Sequence, residues 1–371
     1  MKIKKIVPHF FEKPLINPVS DARNTIVKRA CVLVSVETDK GITGWGEAAS
    51  FAGCGSLVVN TLKFFEEFFI GKDPLMTSKL YDDAYQASLH FGRRGLVINA
   101  LSGIDIALWD ILGKTANLPL YKILGASRNS INYYLNGGYY VSDNNLDFLE
   151  KSVTTAIKHD ARALKIKIGR FGLEDDAKRI SIVRSLLGSD RDLMVDANGT
   201  MDIHYLKRLD PILIEHNVRW IEEPVSLRGI NLLKRLSDQL KTPIAGYELE
   251  MTLQGYSELI ENHVIDIVQP DTIWSGGVTE CKRISAVAQS QEVELVPHNF
   301  ASIIALAANA HIAASAKTGG WLEIDANENP FLWALDREKH YQMIEGKIKI
   351  PEKPGIGIIP DLTSIEEYRL L

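Results

Sequence analysis

Two lysines one residue apart are the first sign of chemistry in this chain. Ala163-Leu-Lys-Ile-Lys-Ile-Gly169 is a short apolar run of the kind that forms a strand, and alternate strand side chains project to one face, so Lys165 and Lys167 share a side. Two ammonium groups in one cavity disfavour each other's protonation, which is expected to lower the pKa of at least one toward the range of a working base. On an edge strand the same lysines would simply face water. The downstream residues favour the cavity. An ionisable residue recurs wherever a later apolar run stops: Asp196 in Val-Asp-Ala-Asn, Glu222 in Trp-Ile-Glu-Glu-Pro, Glu248 in Ala-Gly-Tyr-Glu, Asp271 in Gln-Pro-Asp, His298 in Val-Pro-His-Asn and Glu323 in Trp-Leu-Glu. Asp196 or Asp271 alone would pass as a helix N-cap. Six such groups around one mouth would be costly without a cation.

Asp196, Glu222 and Glu248 are hard oxygen donors from three consecutive strands, a set that suits Mg2+, with Mn2+ as the alternative, better than zinc. Asp271 and His298 come on the next two strands, where the carboxylate can hold the imidazole tautomer. A lysine on one side of a metal and a histidine on the other suit removal of a proton next to a carboxylate, with the ion stabilising the enolate.

The elements that must carry these residues fall into two patterns. Residues 1–125 read as an α+β domain, with strands at 2–7, 28–38 and 43–48 followed by helices at 58–70, 77–89 and 95–114. The last two strands join through Asp39-Lys40-Gly41, and a polar loop is expected over 14–25. From 126 to 330, strands at 131–135, 163–168, 192–195, 218–221, 243–245, 264–268, 292–296 and 321–324 alternate with helices such as 145–159, 173–187, 206–216, 231–240 and 279–289. Eight such units predict a TIM-type barrel, (β/α)8 or its (β/α)7β variant. The tail, 331–371, is expected to pack back on the first domain and complete it.

A chain of 371 residues with 46% hydrophobic composition can bury a large core. Its net charge of -5 and pI near 6.0 give no basic footprint for nucleic acid. No run of 18 apolar residues occurs, so no membrane partner is expected. Cys31, Cys54 and Cys281 lack disulfide or zinc spacing, which fits a reducing, cytoplasmic setting. The expected partners are a small-molecule carboxylate and further copies of the chain, from dimer to octamer.

The run Ala100-Leu-Ser-Gly-Ile-Asp-Ile-Ala-Leu-Trp-Asp-Ile-Leu-Gly-Lys114, then Pro119-Leu-Tyr-Lys-Ile-Leu-Gly125, together with Gly44-Trp-Gly-Glu47 and the strand-end residues, resembles the enolase superfamily and, within it, the mandelate racemase subgroup. The resemblance covers nearly the whole chain. In that superfamily a lysine or histidine base works beside Mg2+ on an ene-diolate. The resemblance implies Lys167 as base with Lys165 tuning it, and Asp196, Glu222 and Glu248 as Mg2+ ligands. It further implies Asn198 supporting the lysine, Asp271 and His298 as a dyad, and Glu323 as hydrogen-bond donor to the enolate. The related muconate-lactonizing subgroup would carry a lysine where this chain has Asp271. Because Tyr247 separates Gly246 from Glu248, Glu250 stays open as a third ligand, although spacing from Pro243 favours Glu248.

The loop 14–25 matches the family's specificity loop, which closes over the barrel mouth and here carries Asp21, Arg23 and Asn24 toward a hydroxylated substrate. Arg93 is a candidate for a substrate carboxylate and Asn136 for the substrate itself. Glu223 is read as structural, and Trp274, Trp321 and Trp333 as packing. The expected activity is dehydration of a sugar acid, aldonate or aldarate, to a 2-keto-3-deoxy acid. Alternatives are a racemase or epimerase using Lys167 and His298 on opposite faces, a cycloisomerase, and a non-catalytic barrel.

Overall fold

The computed structural model describes residues 1–51, 53–126, 128–141, 146–227 and 229–371. The N-terminal sheet has three antiparallel strands in the order β1 (Ile3–Ser20), β2 (Thr25–Thr38) and β3 (Thr43–Ala48). The first is far longer than expected. The segment 14–25 is a paired ribbon with a register slip between Pro14 and Val19, ending in a turn at its tip. Leu15 and Val19 are buried, which recruits the strand, while Asp21 Oδ1 accepts the backbone N–H groups of Arg23 (2.6 Å) and Asn24 (2.7 Å) to close the turn.

Helices α1 (Gly55–Phe69), α2 (Thr77–Ser88) and α3 (Leu96–Ala116) pack on this sheet. Gly44 and Gly46 of β3 lie directly on α3; a Cβ at either would stand 2.0 Å from a helix carbonyl, Ala107 O or Gly103 O. This close approach is the physical content of the Gly-Trp-Gly motif. Among the described residues α3 alone is long and apolar enough to cross a membrane, but 89% of its apolar window is buried as the domain's core.

After α4 (Leu120–Ile123) the chain alternates: β4 (Ser130–Gly137), α5 (Leu146–Lys158), β5 (Ala163–Lys167), α6 (Leu173–Leu187), β6 (Asp192–Asp196), α7 (Ile203–Glu215), β7 (Val218–Glu222), α8 (Ile230–Ser237), β8 (Ile244–Gly246), α9 (Thr252–Glu261), β9 (Ile267–Val268), α10 (Gly277–Ser290), β10 (Glu294–Leu295), α11 (Ile303–Ser315) and β11 (Trp321–Asp325). The expected start of α5 at Asn145 lies outside the described residues. Successive strands pair in parallel from β4 to β10, and β11 returns to pair with β4. A bridge from Leu295 to Gly319 links β10 to the approach of β11. The final strand is followed only by the four-residue α12 (Pro330–Trp333), so the barrel is the (β/α)7β form. Strands β9 and β10 are two residues each, shorter than the apolar runs suggested, because the chain leaves the ladder early on the way to Asp271 and His298.

The tail is shared between the domains. Hairpin β12 (Gln342–Ile344) and β13 (Lys347–Lys349) adds to β4 of the barrel, whereas Ile356 N–H donates to Asp110 of α3 (2.9 Å). His311, buried in α11, ties the parts together. Its Nδ1 accepts Tyr121 N–H (3.0 Å), and its Nε2 meets the Tyr341 hydroxyl (3.3 Å), which donates to Ile356 O (2.6 Å). A proton on Nδ1 would oppose the Tyr121 donor, and burial pushes the imidazole down to about 4 from 6.5. The native state therefore excludes a proton that the unfolded chain accepts below pH 6.5. Stability from His311 is complete above that pH and is lost as pH falls toward 4, by roughly 3 kcal/mol at 1.36 kcal/mol per unit. Urea titrations between pH 7 and 4 should show this acid loss in the native chain and a flatter profile in His311→Gln; equal slopes would reject it.

Candidate active site

Each barrel strand alternates inward and outward residues, and the inward ones form layers. Tyr134, Ala163, Met194, Trp220, Ala245, Ile267 and Val296, with Trp321 packed against them, contribute one residue from each strand or its immediate end and plug the interior. Two residues further along the strands the inward positions turn polar: Asn136, Lys165, Asp196, Glu222, Gln269, His298 and Glu323. All are buried. The aromatic plug keeps water out from below, so these groups act on one another at low dielectric.

Lys165 Nζ lies 2.5 Å from Glu222 Oε1, 3.0 Å from Glu323 Oε1 and 3.8 Å from Asp196 Oδ2; Lys167 Nζ lies 2.5 Å from Asp196 Oδ2 and over the Tyr139 ring (4.9 Å). The expected lowering of a lysine pKa is not what this arrangement produces. Burial does lower both, but carboxylates outweigh it, and Lys165 and Lys167 are held well above the ordinary lysine value. Their mutual repulsion is the smaller effect because each ammonium has a carboxylate of its own.

The implied support of the lysine by Asn198 is indirect. Asn198 holds Asp196 instead, through its N–H (2.9 Å) and Nδ2 (3.4 Å), from a left-handed backbone (φ 47°) that asparagine tolerates. Burial pushes Glu222 up to about 7, with Lys165 opposing and Asp196 and Glu323 adding to the rise. Gln269 donates to its other oxygen (2.9 Å). Burial also raises Glu248, whose Oε2 sits 3.1 Å from His298 Nε2. Glu250 pairs with Arg94 of the first domain (2.9 Å), whereas Glu248 faces His298. Glu223 is a surprise. Its left-handed backbone (φ 41°) breaks the strand alternation, and its buried carboxyl is raised well above the usual range by burial and then by Glu248, Asp196 and Glu222.

The residues fit a divalent cation. Asp196, Glu222 and Glu223 are buried and Glu248 half-buried, all four are oxygen donors only, and three of them are held above the usual carboxylate range; excess negative charge of this kind is what a bound Mg2+ would neutralise. Among the described residues no three acidic, histidine or cysteine side chains already close on one point at ligand spacing, because Asp196 and Glu222 turn onto lysines and Glu248 onto His298.

His298 Nδ1 meets Asp271 Oδ2 at 2.9 Å. Burial lowers the imidazole pKa, but Glu248, Glu323 and Asp271 overcome it and raise it to about 10. Burial raises the Glu323 carboxyl, yet Lys165 and His298 pull it below the usual value, and it accepts from Tyr134 OH (3.1 Å).

The ribbon tip reaches this mouth. Ser20 and Tyr140 exchange backbone hydrogen bonds (2.7 and 2.8 Å), Arg170 donates to Asp21 O (2.9 Å), and Arg23 to Asn198 O (3.3 Å). The Asp21 carboxylate is used by the turn itself, and Asn24 is exposed. Asn136 donates to Tyr139 OH (3.2 Å). Arg93 is exposed and makes no ion pair or hydrogen bond among the described residues. In its place the first domain sends Arg29 over the barrel, paired with Asp325 (2.5 Å) and stacked on Phe300 (3.9 Å). The sequence hint was available: Asp325 shares the inward phase of Glu323.

Comparison with known proteins agrees with this geometry. Residues 6–125 match the model of the mandelate racemase/muconate lactonizing enzyme N-terminal domain, and residues 149–364 match the enolase C-terminal domain-like model. The chain belongs to the enolase superfamily, in its mandelate racemase subgroup. It is 33% identical to an arabinonate dehydratase of Saccharolobus solfataricus, across 91% of this chain and 90% of that one. It is also 33% identical to a D-galactarolactone cycloisomerase of Agrobacterium fabrum, across 100% and 99%. The crystal structure of L-talarate/galactarate dehydratase from Salmonella typhimurium LT2, liganded with Mg and L-lyxarohydroxamate, superimposes with a TM-score of 0.90 at 29% identity, covering 100% of this chain and 93% of that one.

Proposed function

We propose that this enzyme dehydrates a sugar acid to a 2-keto-3-deoxy acid with Mg2+ as cofactor. The observation that carries the reading is the placement of Lys167 and His298 on β5 and beyond β10, across the ring from each other, each joined to its own carboxylate. When held by Asp196, Glu222 and Glu248, Mg2+ supplies Lewis-acid stabilisation of charge developing on the substrate carboxylate. Lys167 takes the proton from C2. With Asp196 drawn onto a bound cation, Lys167 would lose the carboxylate that favours its charged form, and the neighbouring Lys165 ammonium would favour the neutral amine. Lys165 donates to a carboxylate oxygen, and the negative charge of the substrate raises the proton affinity of Glu323 beside it. The C3–O bond breaks as His298 delivers its proton to the departing hydroxyl, water leaves, and the enol tautomerises.

The likeness to sugar-acid dehydratases favours elimination over racemisation, in which His298 would have to serve as a base in one direction. The full-length match to a cycloisomerase favours a second reading, in which the group leaving C3 stays tethered to the substrate. A library of aldonates, aldarates and their lactones, incubated with Mg2+ in D2O, separates these. Keto acid with loss of water supports dehydration, a ring-opened or ring-closed isomer formed without loss of water supports cycloisomerisation, and α-exchange alone supports racemisation. Neither exchange nor keto acid with any acid would reject the proposal.

A further inference from the structure

Both members of the Asp271–His298 pair stand on irregular chain. Asp271 lies three residues beyond β9 and His298 three beyond β10, so the barrel ladder fixes neither. One fully buried side chain joins the two segments. Asn309 of α11 donates through Nδ2 to Asp271 Oδ1 (2.9 Å) and to His298 O (2.9 Å), and its Oδ1 accepts Thr272 N–H (2.9 Å). The orientation of the amide is dictated by its partners. Turned over, it would set its oxygen against two acceptors and its NH2 against a donor. Asparagine is a poorer helix former than alanine, and the neighbours here are alanines, Ala308 and Ala310, in a helix buried at every position except Ser315. Its polar capacity is spent on the pair. With Ile273 N–H (3.2 Å), Asn309 occupies Asp271 Oδ1, leaving Oδ2 for the imidazole. The helix is itself anchored from the first domain, where Glu47 accepts the Ser302 hydroxyl (2.5 Å) and the N–H groups of Ser302 and Ala305.

We propose that Asn309 is the positioning residue of the acid pair: it sets the carboxylate and the imidazole backbone at one distance, so that His298 meets the leaving group without first ordering two loops. This rests on the reading of His298 as the acid. The test compares the full-length Mg2+-loaded protein with Asn309→Leu and the gentler Asn309→Ser, both checked for cooperative thermal unfolding. In histidine-15N-labelled protein, the low-field proton of the His298 Nδ1–H bond to Asp271 reports the pair without substrate. It should move upfield or broaden through exchange in both variants. With a turned-over acid, keto-acid formation should fall about 100-fold, the scale of a misplaced catalytic group, while α-proton exchange through Lys167 stays within about twofold. An unmoved resonance, or parallel loss of both activities, overturns the proposal. If no sugar acid is turned over by the unaltered enzyme, the dehydratase reading fails, and the resonance alone decides the role of Asn309.

Discussion

Lys167→Met loses α-proton exchange and keto-acid formation together, by about a hundredfold to ten-thousandfold, the range for removing a general base. His298→Asn loses keto acid to a similar degree but keeps exchange. The asymmetry comes from the order of events, because exchange needs only the C2 proton to leave, whereas elimination also needs a proton delivered on the other side. Methionine is chosen over alanine to fill the lysine stem. With Lys167 gone, Asp196 loses its 2.5 Å partner and keeps Lys165 at 3.8 Å and the Asn198 donors; breaking a buried pair costs up to about 3 to 5 kcal/mol, less what these partners and a bound cation offset. Stability should therefore be compared with Mg2+ present. NMR in D2O checks both variants. Exchange that survives in Lys167→Met and vanishes in His298→Asn would reverse the assignment of faces.

Mg2+ raises the thermal midpoint of the native chain and restores activity lost to chelator, whereas Glu222→Gln shows neither response at the same concentration. At one hundred times its dissociation constant a ligand adds about 2.7 kcal/mol of stability. Glu222 is the candidate ligand to remove because it ends β7, between Asp196 at the end of β6 and Glu248 just beyond β8, and burial raises it to about 7. Differential scanning calorimetry with and without Mg2+ measures the effect. A midpoint indifferent to Mg2+ in the native chain would mean that the acids are neutralised by Lys165, Lys167 and His298 alone.

Much of this site is legible in the sequence because barrel geometry converts spacing into position. Asp196, Glu222, Asp271, His298 and Glu323 are each found where an apolar run ends, and all reach one buried layer. What spacing does not carry is distance. The direction of the lysine shifts depends on carboxylates 2.5 to 3.0 Å away on other strands, and the state of Glu323 depends on the same contacts. Glu223 escapes because one left-handed residue reverses the alternation on which strand reading relies. Asn309 escapes for a different reason, since an amide inside a helix bears no periodic relation to the two loops it joins. The ribbon over 14–25 reads as loop because its polar residues gather near a turn that only pairing reveals.

That ribbon has a mechanical consequence. It runs unbroken from the sheet of the first domain to the barrel rim, where two main-chain bonds between Ser20 and Tyr140 hold its end. An end held this way moves only as far as the sheet behind it allows, so softening the core of the first domain would loosen the barrel rim without altering any residue of the site.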